Sequence, residues 1–371
     1  MTHQREPIPA KDGQAPFFAG VDLGGTNIKV GVVDDLGREI ILVDDQGRPM
    51  VDEEGAPVLK LSVPTEVEKG AEDATRRMGE AVRRAIQAAG IDHSSVPRVG
   101  LGSPGTMDIP AGKLIDPVNL LGPGWKGFPI RDRLSEHCGK PVAFANDAAA
   151  AAYGEFWVGS GQDFHSMVLL TLGTGIGCGI IVGGVSIDGE NSHGAECGHI
   201  IIDCSENARL CGCGQPGHLE AYASATAVIK RTQEALNAGR TSALPERIKQ
   251  EEEKPEKQRK GIPELIAEEA EAGDELSLEL VMETARYLGI GVVSLMHTID
   301  PNGVLLGGAM TFGGHERELG QRFLARIQEE VQRRAFPVLA ERTAIDFASL
   351  GGDAGYIGAA GIARAEHLKT Q

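Results

Sequence analysis

The chain has 371 residues, 41% of them hydrophobic, enough to bury two cores and too many for one ordinary domain. Lys and Arg number 36 against 53 Asp and Glu, a formal net charge of -17, and aromatics make up only 4%. Nucleic acid is therefore not expected as a partner, since both phosphate-neutralising cations and stacking rings are scarce, and no run of about 18 apolar residues is present to span a membrane.

The polar residues 1–16 lack the apolar core of a signal peptide, so a cytoplasmic location is expected. From 17 to 61 the pattern is a run of strands. It opens with Gly20-Val21-Asp22-Leu23-Gly24-Gly25-Thr26-Asn27-Ile28-Lys29-Val30, a β-hairpin with a phosphate-sized bend. Gly24 and Gly25 allow close backbone approach to an anion, Thr26, Asn27 and Lys29 add donors, and Asp22 can hold magnesium through water. Read alone, the same residues also make an ordinary hairpin with Asp22 as a turn former. Asp44-Asp45-Gln46-Gly47-Arg48 and Asp52-Glu53-Glu54-Gly55 mark extra turns and a lengthened hairpin.

Residues 67–89 read as a helix, with Ala71, Ala74, Met78, Ala81, Val82, Ala85 and Ile86 near a 3.6-residue period. Residues 98–102 return as a strand into Ser103-Pro104-Gly105, and 141–144 form another strand before Asn146-Asp147 and the helix-favouring 148–152. Asp147 has two roles open to it: capping that helix, or accepting a proton from an alcohol at a strand end.

Near Met167 the theme repeats: strand, Gly173-Thr174-Gly175-Ile176-Gly177, strand. No helix follows these glycines and no Gly-x-x-x-x-Gly-Lys-Ser/Thr occurs, which argues against a Rossmann dehydrogenase and a Walker-type NTPase. Two such bends suit two similar domains, each giving its turn to one side of a nucleoside triphosphate. A third pair, Gly307-Gly308, follows the strand 304–306 and lets backbone pass beside a flat base; alone it is a strand-to-helix turn.

Between these lie His199, Cys211, Cys213 and His218, a Cys-x-Cys pair with a ligand five residues on and a distant His, able to surround one zinc ion. Cys204 competes as a ligand, and buried free thiols are the alternative. The charge-dense 244–261, with Gln250-Glu251-Glu252-Glu253-Lys254-Pro255-Glu256-Lys257, reads as a solvated insertion or helix extension without chemistry.

In their order, Asp22-Leu23-Gly24-Gly25-Thr26, Gly102-Ser103-Pro104-Gly105, Asn119-Leu120, Asn146-Asp147, the second glycine turn, Gly194-Ala195-Glu196-Cys197-Gly198-His199 and Cys211-Gly212-Cys213-Gly214 resemble the ROK family of sugar kinases. The resemblance implies an α/β fold of two ribonuclease-H-like domains of the actin/hexokinase ATPase superfamily with a cleft between them. It places a small domain at 17–145, completed by a C-terminal helix at about 355–371, and a large one at 146–354 with a zinc loop at 199–218. It implies ATP and magnesium as nucleotide and cofactor, structural zinc, and Asp147 as the proton acceptor. Sugar contacts fall to Gly105, Asn119, Asn146, Asp147, Glu196, His199 and Glu220, although Glu220 is equally readable as a first-turn helix acid. Nucleotide contacts fall to Asp22, Gly24, Gly25, Thr26, Asn27, Lys29, Gly173, Thr174, Gly175, Gly177, Gly307 and Gly308.

Two departures stand out. The stretch Asn119-Leu120-Leu121-Gly122-Pro123-Gly124-Trp125 is longer than the family's Asn-Leu-x-Gly-Trp, and His218 stands where the family has a third cysteine. The expected reaction is ATP-dependent phosphorylation of a hexose, foremost glucose at its 6-hydroxyl, with N-acetylmannosamine, N-acetylglucosamine, fructose or allose as rivals. A sugar-sensing regulator of the same family is the alternative from another class; the 16 residues before the first strand are too few for a DNA-reading module. A homodimer or homotetramer is expected from the family.

Overall fold

The computed structural model describes residues 6–117, 119–255 and 258–371. By its backbone contacts the chain divides into two units: Met1–Phe164 with Gly179–Ala195 and Ser349–Gln371, and His165–Cys178 with Glu196–Ala348. That line differs from a boundary at 145/146, because the helix that begins at Asp147 packs within the first unit against the chain's last helix.

The first unit is built on strands β1 (Phe18–Leu23), β2 (Asn27–Val33), β3 (Lys60–Pro64), β4 (Val99–Ser103) and, after the small hairpin β5 (Thr106–Asp108) and β6 (Lys113–Asp116), β7 (Val142–Asn146). The sheet order is β3-β2-β1-β4-β7. β1 pairs antiparallel with β2, bringing Asp22 opposite Lys29, and parallel with β4, which pairs parallel with β7. Helices α1 (Ala71–Ala88), α2 (Ile130–Cys138) and α3 (Asp147–Val158) belong to this unit, as does the last helix of the chain, 354–368.

Alternation explains the sheet: Ala19, Val21 and Leu23 of β1 join Val30 and Val32 of β2 in one core with Met78, Val82 and Ile86 of α1. The seven positions read as the apolar stripe of α1 are all buried. The opposite face of the sheet meets the last helix so closely that Gly20 and Gly100 are required there: a Cβ would lie 1.8 Å from Tyr356 O or Ala359 O respectively.

The extra turns marked at 44–48 and 52–55 are present, with a third at Asp34, and residues 34–59 hold no named strand between them. All three are Asp-x-x-Gly turns. Asp34, Asp44 and Asp52 each accept from the amides two and four residues on, and each carbonyl receives the glycine amide of its own turn, Gly37, Gly47 or Gly55. Only isolated bridges such as Val43 with Pro49 and Val51 with Pro57 fit between turns so closely spaced.

The second sheet has the order β10-β9-β8-β11-β12. Its strands are β8 (Ser166–Leu172), β9 (Ile176–Val182), β10 (Val185–Ser186), β11 (Gly303–Gly307) and β12 (Ala344–Phe347), with β11 parallel to both β8 and β12. The helices of this half are α4 (Glu220–Ala223), α5 (Ala225–Asn237), α6 (Leu244–Glu252), α7 (Ile262–Glu271), α8 (Glu275–Ile299), α9 (Glu318–Arg334) and α10 (Pro337–Arg342), and α11 (Ala354–Leu368) completes the first unit.

The charged stretch 244–261 is the helix α6 and a following turn, and it is not wholly solvated. Leu244 is fully buried, and buried Glu251 accepts from the Lys260 amide at 2.8 Å and from Lys254 Nζ at 2.7 Å. Glu256 and Lys257 lie outside the described residues. Among the described residues no helix is long and apolar enough to cross a membrane.

Candidate active site

In the first glycine turn, Gly24 N donates to Asn27 O at 2.9 Å, closing the bend between β1 and β2. Thr65, fully buried, fixes that bend from outside: its hydroxyl donates to Gly24 O at 2.6 Å and its amide to Thr26 O at 2.8 Å. A Cβ on Gly25 would sit 2.8 Å from Asn119 O, so the bend lies directly against the Asn119 loop. Thr26 and Asn27 are exposed at its tip. Lys29 Nζ donates to Gly352 O at 2.7 Å, which ties β2 to the chain just before α11 as well as supplying positive charge.

Asp22 is accommodated by Gly355, whose Cβ would lie 2.8 Å from the carboxyl carbon. Burial pushes the Asp22 carboxyl above its usual range; Lys29 opposes that shift and the charge of Asp353 adds to it. A carboxylate held in such surroundings gains from a nearby cation, and a magnesium ion with its own water shell suits a single carboxylate.

At the end of β7, Asn146 is the cap of α3: its Oδ1 accepts from the amides of Ala148 at 2.9 Å and Ala149 at 3.4 Å. Its Nδ2 donates to Gly105 O at 3.4 Å, linking the helix start to the Ser103-Pro104-Gly105 turn, where Gly105 has φ +87°. Capping, open to Asp147 on sequence grounds, thus falls chiefly to Asn146. Asp147 is the first residue of α3, half-buried, with Oδ1 accepting from Ala148 N at 2.8 Å. The Asn119 loop follows a defined path despite its extra length. Trp125 is buried with Nε1 donating to Val67 O at 3.3 Å, and Ala71 N donates to Pro123 O at 3.2 Å, so the loop seats on the start of α1 with Asn119 exposed.

In the second unit, Gly173 N donates to Gly175 O at 3.0 Å within the bend between β8 and β9. Glu220, the first residue of α4, places Oε2 2.9 Å from Ile176 N, and Thr226 Oγ1 donates to Thr174 O at 2.8 Å. Nothing lies within 4 Å of a Cβ placed on Gly173, and Thr174 is exposed. Gly308, at φ +88°, backs onto the same strand end, a Cβ there lying 2.4 Å from Leu172 O, and Gly307 ends β11. Gly177 lies half-buried within β9. Glu196 is exposed and its carbonyl accepts from His199 N at 3.0 Å.

His199, Cys211, Cys213 and His218 converge so that one ligand atom from each lies within 4.8 Å of all the others. His199 Nδ1 and His218 Nδ1 are 3.3 Å apart, Cys211 Sγ is 3.8 Å from His199 Nδ1, and Cys213 Sγ is 3.2 Å from His218 Nδ1. A tetrahedral zinc with Zn–N of about 2.0–2.1 Å and Zn–S of about 2.3 Å needs N···N near ~3.3 Å and N···S near ~3.6 Å. The four side chains therefore fit the ion, and Nδ1 is the nitrogen that each histidine would offer it. Cys204 is exposed and not among the four. Cys178 and Cys197 are buried, and burial drives the Cys178 thiol well up, as expected of inert core cysteines.

Sequence reasoning passed over Thr65 and Thr226, which brace the two glycine turns from outside any motif. It also passed over Asp353, which pairs with Lys60 at 2.5 Å while adding its charge to the surroundings of Asp22.

Two α/β halves, each with a strand, glycine bend and strand, define the class as the actin and hexokinase ATPase superfamily, and solved structures bear this out. The chain belongs to the ROK family, whose profile matches residues 18–366. The ROK hexokinase of Thermus thermophilus matches with a TM-score of 0.73 at 32% identity, over 95% of this chain and 99% of that one. A ROK family glucokinase of Streptomyces griseus, in complex with glucose and AMPPNP, matches at 0.68 and 32%, over 94% of this chain and 99% of that one. The glucokinase of Halalkalibacterium halodurans is 31% identical over 346 residues, 92% of this chain and 93% of its own length.

Proposed function

We propose that this ATP-dependent sugar kinase transfers the γ-phosphoryl group of ATP to the 6-hydroxyl of glucose, with Asp147 accepting the hydroxyl proton. The observation that carries the reading is the division of labour at the start of α3. Asn146 caps the helix at two amides, and Asp147, its first residue, places a carboxylate at the positive end of the helix dipole with Oδ1 accepting from Ala148 N.

The sugar oxygen attacks the γ-phosphorus as the bond to the β–γ bridging oxygen breaks, leaving ADP. The hydroxyl proton passes to a carboxylate oxygen of Asp147 as the new P–O bond forms. Phosphate contacts are assigned to exposed Thr26 and Asn27 in the turn of the first unit, and to exposed Thr174 and the open backbone at Gly173 in the turn of the second. Magnesium held through water by Asp22 supplies charge neutralisation. The residues assigned to sugar hydroxyls are Asn119, Asn146 and Asp147 on the first unit and, separately, Glu196 and His199 on the second. Zinc held by His199, Cys211, Cys213 and His218 is structural, and Nδ1 ligation leaves His199 Nε2 for a hydroxyl. The similarity to glucokinases over nine-tenths of both chains favours glucose over its epimers and N-acetyl derivatives.

The deciding measurement is coupled ADP release across glucose, fructose, allose, N-acetylglucosamine and N-acetylmannosamine. The expected result is the highest kcat/KM for glucose; absence of turnover on every hexose overturns the reading. Glycolytic use of the product and a cytoplasmic location belong to this proposal, as does assembly into a homodimer or homotetramer, read by light scattering.

A further inference from the structure

The stretch 220–226 touches three of the four residues from Gly173 to Ile176 in the second glycine turn. Ile176 N donates to Glu220 Oε2 at 2.9 Å, Ala225 N to Gly173 O at 2.9 Å, and Thr226 Oγ1 to Thr174 O at 2.8 Å. The fourth residue is shaped to the same clamp. A Cβ on Gly175 would lie 2.4 Å from Glu220 Oε2, so only glycine lets the carboxylate come that near.

The other end of the segment is anchored in the Cys/His cluster. His218 ends 3.3 Å from His199 Nδ1 and 3.2 Å from Cys213 Sγ, two residues before Glu220. Leu219 between them is fully buried, donates its amide to Ile200 O at 3.0 Å, and packs against Gly291 of α8, where an added Cβ would come within 2.6 Å. His218, Leu219 and Glu220 thus form one short, tightly held piece of chain with the cluster at one end and the turn at the other.

We infer that Glu220 and Thr226 are positioning residues that set the second glycine turn for the nucleotide phosphates, and that His218 couples the metal cluster to that turn. The inference rests on the kinase reading of the turn as a phosphate cradle. It gives Glu220 a task distinct from gripping sugar. The amides of Gly173 and Ile176 are already spent on Gly175 O and on the Glu220 carboxylate, so those of Thr174 and Gly175 are the ones a phosphate meets. Their direction depends on the peptide planes that the clamp fixes.

The test is calorimetric binding of ADP with magnesium to the full chain without sugar, beside glucose binding measured separately. Thr226→Val keeps the side-chain shape at an exposed position and removes only the hydroxyl. It should weaken ADP three- to tenfold and leave glucose binding unchanged. Glu220→Ala should weaken ADP by at least as much, while Glu220→Gln, which keeps an oxygen for Ile176 N, should restore it whatever becomes of glucose affinity. Stripping the metal should weaken ADP similarly.

Wild-type ADP affinity in both Thr226→Val and Glu220→Ala overturns the clamp, even if the enzyme phosphorylates glucose normally. Should Glu220→Ala fail to fold, Thr226→Val decides alone. Unchanged ADP affinity after metal removal overturns the coupling through His218. Variants that lose ADP affinity in a protein that phosphorylates no hexose leave the clamp standing and remove the kinase reading, and a wild type that binds no ADP removes both.

Discussion

Asn146 and Asp147 are neighbours with different places in α3: Asn146 is the cap, its Oδ1 accepting from Ala148 N and Ala149 N at 2.9 and 3.4 Å, while Asp147 is the first residue of the helix, its Oδ1 accepting from Ala148 N at 2.8 Å. The two substitutions should therefore separate stability from turnover. Asn146→Ala removes the cap and should cost about 1 kcal/mol of stability, read by denaturant unfolding. Asp147→Asn keeps shape and an acceptor oxygen but not the base, and should leave stability close to wild type while lowering kcat by roughly 10² to 10⁴. A folded Asp147→Asn protein with wild-type kcat would remove the proton-acceptor assignment.

The four-ligand cluster leads to a composition test. Metal analysis of the purified chain should find one zinc per chain, and strong chelation should lower Tm, because the loop 199–218 has no disulfide to replace the ion. His218→Cys should keep the zinc, as thiolate and imidazole both serve tetrahedral sites, whereas His218→Ala should bind it weakly. A metal-free chain whose Tm is indifferent to chelator excludes the site.

Glu72 of α1 is held by α2: Arg133 Nε donates to its Oε2 at 2.9 Å and His137 Nε2 lies 2.9 Å from its Oε1. The Arg133 guanidinium chiefly, with His137 helping and burial opposing, holds the carboxyl at about 2 against an ordinary 4.5. A depressed folded-state value means that the pair's stabilisation is complete above about pH 4.5 and disappears as pH falls from there through about pH 2. The Tm difference between wild type and Glu72→Gln should be small but constant near neutrality and should shrink over that acidic window. Other carboxylates titrate in both proteins and drop out of the difference. A gap that stays constant down to about pH 2 contradicts the pairing.

What could be read from the residues was whatever depends on near neighbours. The apolar stripe of α1 and the Gly24-Gly25 bend are repeated local patterns, and the structure keeps both. The four His and Cys side chains of the cluster lie within 20 positions, close enough for spacing alone to suggest that they meet. Contacts between distant positions left no such trace. Nothing in Gly20 or Gly100 signals the last helix pressing on them, because Tyr356 and Ala359 lie more than 250 residues further along. Thr65 looked like any threonine until its hydroxyl was seen on Gly24 O. Glu251 read as solvated because its neighbours are charged, yet the fold turns it inward onto the Lys260 amide. The cap of α3 was open to misassignment because Asn146 and Asp147 are adjacent and equally suited by type.

Glycines offer the sharpest separation of phosphate binding from folding. In α11, a Cβ on Gly358 would sit 1.7 Å from Ala150 O, a backbone atom of α3 that cannot swing aside. Gly358→Ala must push the two helices apart and should cost stability at or above the upper end of the usual ~1–3 kcal/mol for overpacking. Gly173 is the opposite case. Its backbone is not in the left-handed region and a Cβ there meets nothing within 4 Å, so Gly173→Ala should fold with a change below about 0.5 kcal/mol. On the kinase reading proposed above, that empty space is where a phosphate would approach the backbone. The same substitution should raise the ATP KM about tenfold, a loss of ~1.4 kcal/mol in nucleotide binding. Gly173→Ala with an unchanged ATP KM would mean that the space is vacant for some other reason and that the phosphates lie elsewhere. Gly358→Ala with wild-type stability would mean instead that the α3–α11 crossing is looser than 1.7 Å implies.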